Sequence, residues 1–177
     1  VDCYPTPASF AAAFRQYAAQ LPAHGLLIVC ADDAGALALA DAVQPGVAVE
    51  TYGLSDGADW QARDLAPNER GGFDAEVWHA GAPVAHLSLS VPGRHNVRNA
   101  LAALAAANWH HISPARSAIM LRDFRGAGRR FELVGEADGV TIIDDYAHHP
   151  TEVAATLSAA RLRYATRRIW AVFQPHT

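Results

Sequence analysis

Lysine is absent from this chain of 177 residues; all fourteen basic side chains are arginine. That absence excludes a phosphate-binding loop of the G-x-x-x-x-G-K-[ST] type, whose lysine carries charge to the β and γ phosphates. Cysteine is nearly absent: Cys3 and Cys30 are the only two, far apart and without metal-ligand spacing. They indicate two reduced, packed thiols in a cytoplasmic protein rather than a disulfide framework. Charged residues make up 18% of the chain against 51% hydrophobic, the balance of a globular chain and not of a disordered one. The formal net charge of −4, with no basic run and no interleaved aromatic stripe, gives no electrostatic case for nucleic acid. No apolar segment approaches the roughly 18 residues of a membrane span, and neither a span nor a signal peptide is expected. Internal repeats and low-complexity linkers are missing. The length suits one large domain or two small ones, and a first residue of Val rather than Met suggests a piece of a longer polypeptide.

What is present concentrates in one short stretch. Val140-Thr141-Ile142-Ile143 are four consecutive β-branched residues and read as a buried strand. The chain then turns to Asp144-Asp145-Tyr146-Ala147-His148-His149 before Pro150-Thr151-Glu152. Proline suits the first position of a helix, and Glu152 falls where a capping carboxylate sits. A strand end facing a helix start is where open α/β sheets bind phosphates and carboxylates. Val153, Leu157, Ala160 and Tyr164 then share one helix face. Arg168-Ile169-Trp170-Ala171-Val172-Phe173 reads as the next strand, ending in Gln174-Pro175-His176. A right-handed βαβ crossover brings both strand ends to one sheet edge, so Asp145, Tyr146, His148, Gln174 and His176 are expected to line one crevice. Adjacent carboxylates and imidazoles could also ligate a divalent ion. Such ligands usually come from several separated strands, and here there is one cluster.

Upstream, residues 7–21 show helical spacing with Thr6 or Ser9 as cap, residues 25–31 read as a buried strand, and residues 33–43 as an alanine-rich helix. That alternation marks the end of a parallel α/β sheet. Residues 47–52, 60–65, 73–79 and 84–90 alternate apolar with polar and predict short antiparallel strands, with Ala80-Gly81-Ala82-Pro83 as the clearest hairpin turn. Residues 95–109 and 113–124 read as helices, with His110-His111 as a surface turn between them. Arg125-Gly126-Ala127-Gly128 is a small-residue hinge, after which a hairpin turning at Asp138-Gly139 begins. Asn96 and Asn99 are three apart and so share a helix side. Their amides offer donor and acceptor together, which suits an adenine edge; one could equally cap the helix with the other solvated. His95 could stack on a base or cap.

Three motifs in order, Phe124-Arg125-Gly126-Ala127-Gly128-Arg129-Arg130-Phe131-Glu132, the Asp144 to Glu152 stretch, and Phe173-Gln174-Pro175-His176, resemble the Mur ligase family. Gly93-Arg94-His95-Asn96-Val97-Arg98-Asn99-Ala100 is similar to that family's ligand-binding helix, and Val1-Asp2-Cys3-Tyr4 to the tail of its central-domain signature. The resemblance spans nearly the whole chain. It implies an α/β fold: the end of a central-domain mixed sheet with antiparallel strands, then the start of a Rossmann-like C-terminal domain. Residues 1–126 would be the later part of the central ATP-binding domain, without its phosphate loop, and residues 127–177 the beginning of the C-terminal one. The family usually carries a Leu-Gly pair where this chain has His110-His111, which leaves that loop's geometry open.

The implied chemistry is ATP-dependent amide formation in bacterial peptidoglycan precursor synthesis. The carboxylate of UDP-N-acetylmuramate attacks the γ-phosphate to give an acyl phosphate, and the amine of L-alanine displaces phosphate, with magnesium neutralising charge. By resemblance Asn96 and Asn99 meet adenine, Arg130 reaches the phosphates, and Asp145 accepts from the ribose. Tyr146, His148 and His176 serve the acceptor side. Magnesium ligands are expected outside these residues, and the chain alone is expected to be inactive. The Phe-Gln-Pro-His tail favours the L-alanine-adding branch over the one that recycles murein tripeptide. A non-catalytic scaffold that kept the fold is the competing class.

Overall fold

The computed structural model describes residues 3–175. Helix α1 (Pro7–Ala18) starts at Thr6, whose side chain accepts from the Ser9 amide while Ser9 answers the Thr6 amide, a reciprocal capping box. Strand β1 (Leu26–Cys30) follows; of its residues only Val29 is fully buried. The expected helix over residues 33–43 is broken into α2 (Ala34–Leu37), capped by Asp33, and a single 3₁₀ turn at Ala40–Ala42. Gly35 weakens it, and neither piece buries a residue. Helices this short do not persist on propensity alone.

Strands β2 (Ala48–Gly53), β3 (Trp60–Pro67), β4 (Phe73–His79) and β5 (Ala82–Ser88) complete a five-stranded sheet in sequential order. β2 runs parallel to both β1 and β3, against the expectation of an antiparallel strand. Only Tyr52 and Gly53 pair with β3, at Trp60 and Gln61, so β3 starts beside the end of β2 and continues in the same direction. β3, β4 and β5 are antiparallel, with the β4–β5 turn at Ala80-Gly81, both at positive φ. The result is a mixed sheet.

Helix α3 (Arg94–Trp109) covers the parallel part of the sheet. Val97, Ala100, Leu101, Leu104 and Ala105 are its buried residues, the stripe of a helix with one apolar face. Leu101 and Leu104 are fully enclosed with Trp60, Val77 and Leu87, and each leucine is worth about 2–5 kcal/mol over alanine at such a site. Trp60 satisfies its indole by donating to Glu50 Oε2 at 2.6 Å. Helix α4 (Pro114–Arg122) packs on β5. The two thiols are free; Cys3 is exposed and Cys30 half-buried, so the expectation of two packed cysteines fails for Cys3.

After residues 125–128, β6 (Glu132–Ala137) and β7 (Val140–Asp144) form a separate antiparallel hairpin turning at Asp138 and Gly139. Helix α5 (Pro150–Arg163) follows. The expected strand over residues 168–173 is not formed. The segment joins no ladder; Trp170 and Val172 are exposed, and an open space of about 680 Å³ separates it from β7 and α5. Without an adjacent edge to take up its amides, β propensity alone does not make a strand. Val140 and Ile142 are correspondingly more than half exposed, although the sequence reads as a buried strand. Among the described residues, no helix is long and apolar enough to cross a membrane.

Candidate functional site

The polar stretch after β7 is held by its own residues. Asp145 accepts the Phe131 amide on Oδ2 and the Ala147 amide on Oδ1, both at 2.8 Å. It thereby ties the loop to the start of the C-terminal hairpin, while each oxygen retains a lone pair. Asp144 faces Arg129 at 3.5 Å, and the Arg129 guanidinium lies over the Tyr146 ring. Arg129 is at positive φ and accepts the Tyr146 amide on its carbonyl. Its carbonyl and its guanidinium thus both help to build the loop, although the side chain is largely exposed.

Glu152 is the second organiser. Its Oε2 accepts the His148 and His149 amides at 3.3 Å each, and these bonds hold its carboxyl below the ordinary glutamate range. His149 is the cap of α5, with its ring accepting from the Thr151 amide. Arg130 reaches Glu152 at 3.8 Å and His148 Nδ1 does so at 3.7 Å. Arg130 and His148, expected on opposite reactants, thus meet around one carboxylate. Tyr146 and His148 pack edge to face at 5.2 Å between centroids. Among the described residues, no group of three or more His, Cys, Asp or Glu is placed to hold a metal ion.

Across from this loop lies the start of α3. Gly93 precedes it at φ +94, and an added Cβ would strike the His95 ring and approach Ala159 of α5. A left-handed, crowded position of that kind favours glycine. The half-buried His95 imidazole is held below its ordinary pKa, first by burial and then by the positive charges of Arg98 and Arg130. Asp145 opposes the shift. His95, Arg130 and Asp145 therefore share one neighbourhood. Asn96 donates to the Pro92 carbonyl at 2.7 Å and accepts from Asn99 at 3.3 Å. Asn96 locks the helix start, while exposed Asn99 keeps an amide oxygen that accepts no hydrogen bond among the described residues.

The expected single crevice is only partly assembled. Asp145 and Phe173 line the open space beside β7, whereas Tyr146, His148 and Gln174 do not. His176 lies outside the described residues. Sequence reasoning missed Asp32, at the end of β1. It accepts the Leu54 and Ser55 amides and the Ser55 hydroxyl, and faces Arg98 at 3.6 Å. Partial burial pushes its carboxyl up, but these bonds and the arginine outweigh burial and hold it below the usual range. An aspartate closing a parallel strand was the available signal.

Comparison with known proteins covers both parts. A model of the Mur ligase middle domain matches residues 1–107, and one of the Mur ligase glutamate ligase domain matches residues 129–177. The chain is 48% identical over 178 aligned residues to the UDP-N-acetylmuramate–L-alanine ligase of Paenarthrobacter aurescens, covering 99% of this chain and 38% of that protein. For the enzyme of that name from Kineococcus radiotolerans the values are 49%, 99% and 37%. Among solved structures, the UDP-N-acetylmuramate-alanine ligase of Thermotoga maritima superposes with a TM-score of 0.78 at 28% identity, over 97% of this chain and 37% of that one. A murein peptide ligase from Psychrobacter arcticus does so with 0.68 at 30% identity, over 94% and 35%. The chain spans a little over a third of the length of the curated relatives it matches.

Proposed function

The chain belongs to the Mur ligase family, and from that premise we propose that it supplies adenosine contacts and part of the acceptor side of a bacterial, cytoplasmic, ATP-dependent ligase. That ligase joins L-alanine to UDP-N-acetylmuramate. The observation that supports this most directly is the juxtaposition of the Asp145 loop with the start of α3, where His95 feels both Asp145 and Arg130. A nucleotide seated there would meet the Asn99 amide at its base, the remaining lone pairs of Asp145 at its ribose hydroxyls, and Arg130 at its phosphates. The planar donor fork of Arg130 suits phosphate oxygens, and a modest rearrangement would release it from Glu152. His148 and Tyr146, whose rings meet edge to face, are assigned to the acceptor, as is His176, which lies outside the described residues. Magnesium is assigned to ligands outside these residues, where it would neutralise the charge between anionic reactants. Residues 1–126 and 127–177 are the two partial domains, with the turn at Gly126 between them.

The reaction balances as two displacements: the sugar-nucleotide carboxylate takes the γ-phosphoryl group and releases ADP, and the amine of L-alanine then expels phosphate. A chimaera tests the proposal. This chain replaces the corresponding stretch of the Paenarthrobacter aurescens ligase, and phosphate release is followed with ATP, magnesium, UDP-N-acetylmuramate and either L-alanine or murein tripeptide. Release dependent on L-alanine is expected. A folded chimaera that responds to tripeptide alone indicates the recycling branch, and one that responds to neither indicates a scaffold.

A further inference from the structure

We propose that the junction between the two sheets carries a binding site for a phosphate-type oxyanion, separate from the adenosine contacts. The junction holds an open cleft of about 360 Å³ lined by Arg70, Arg125, Arg130 and Arg163, with Ser90 at its wall and residues 126–128 along one side. Four arginines thus line one volume from both parts of the chain; the Arg70 and Arg125 guanidinium groups converge on Ser90 at its wall, while that of Arg130 reaches toward Glu152. Arg70 comes from the β3–β4 turn, Arg125 and Arg130 flank residues 126–129, and Arg163 ends α5. An added Cβ on Gly71 would fall 2.6 Å from Arg163 Nη1, so the α5 arginine rests directly on the turn that carries Arg70.

The acceptors available to these groups are too few. Arg70 aims Nε and Nη2 at Ser90 Oγ, at 3.1 and 2.9 Å, and Arg125 aims Nη1 at the same oxygen at 3.1 Å. Ser90 donates its own proton to the Arg122 carbonyl at 3.0 Å. A hydroxyl has two lone pairs, and three N–H groups compete for them on a residue only 8% exposed. The Arg122 carbonyl takes one further bond from Arg70. The four carboxylate ion pairs among the described residues involve Arg98, Arg129, Arg130 and His148 on the cationic side. Arg70, Arg125 and Arg163 have no such partner there. Glu132, the one carboxylate in the lining among the described residues, accepts the Arg129 amide. Beyond Asp74, which feels the Arg70 charge, and Glu152, which pairs with Arg130, the cluster has few acceptors, and an oxyanion offers several in the geometry that guanidinium forks match.

The site goes beyond the nucleotide contacts proposed above. Of the residues assigned there, only Arg130 lines this cleft; Asn99 and Asp145 do not. A bound anion would bridge the five-stranded sheet and the C-terminal hairpin, fixing their relative position.

Isothermal titration of the 177-residue chain with inorganic phosphate, at constant ionic strength, tests the proposal. Saturable binding is expected. Arg125→Ala and Arg163→Gln alter exposed residues and leave the core intact, and each is expected to weaken phosphate about tenfold or more, the worth of a charge-assisted contact. Saturating adenosine, which has no phosphate, should leave the isotherm unchanged. The proposal is overturned if the wild type shows no saturable uptake, if both arginine variants bind as the wild type does, or if adenosine displaces the anion.

Discussion

His95 ties the local electrostatics of this chain to its stability. Its folded pKa is depressed by burial and by Arg98 and Arg130, whereas in the unfolded chain it titrates near 6.5. Above that value both states carry a neutral ring and its contribution is fully present. As pH falls, the unfolded chain takes up the proton first, and stability drains away until the folded ring also protonates. His95→Gln removes this titration. Denaturant unfolding at about pH 7.5 and about pH 5.5 should therefore show a larger acid loss for the wild type than for the variant; equal losses would mean that His95 is solvated like a free imidazole. Asp145 and Arg129 illustrate what residue types alone leave hidden. A carboxylate reads as a ligand acceptor, yet both oxygens of Asp145 already hold backbone amides. Arg129, to which the motif assigns no contact, helps to build the loop.

Helix ends show a similar division. Where α3 gives way to α4 the chain carries His110-His111, and His111 adopts φ +63. The helix ends in a left-handed residue and a β-carbon is accommodated in it. His111→Gly relieves that strain and should stabilise the chain by up to about 1 kcal/mol, read as a raised denaturation midpoint with an unchanged slope. An unchanged or lowered midpoint would show that the His111 ring compensates. Elements with a long helix-forming run or a specific turn were legible: α3 through its alanine-rich run, the two hairpins through Ala80-Gly81 and Asp138-Gly139, and α1 through its helical spacing, with Thr6 or Ser9 as the candidate cap and Thr6 the one found. The direction of β2 was not, because alternation carries no information about which neighbour a strand joins or how it runs. Residues 168–173 misled for a related reason. Their composition is that of a strand, but a strand is a relation to an edge, and Arg167 meets Thr141 of β7 through side chains instead of a backbone ladder.

Taken as one body, the chain arranges recognition without the group that would drive transfer. Positioning and charge neutralisation around the γ-phosphate supply most of the catalysis in phosphoryl transfer. The lysine of a phosphate loop is a principal source of that charge, and no lysine occurs among the 177 residues. The arginines at the junction can hold an oxyanion, but without a phosphate loop nothing places a γ-phosphoryl group against them. The purified 177-residue chain, given ATP, magnesium, UDP-N-acetylmuramate and L-alanine, should therefore release no phosphate beyond the background seen without the sugar nucleotide. The phosphate assay is run alongside the chimaera, so that loss of turnover is assigned to the missing loop and not to inactive reagents. Turnover by the isolated chain that depends on both acceptors would mean that its arginines alone can stabilise the transferring phosphoryl group, and would overturn the division of labour drawn here between this chain and a lysine-bearing loop.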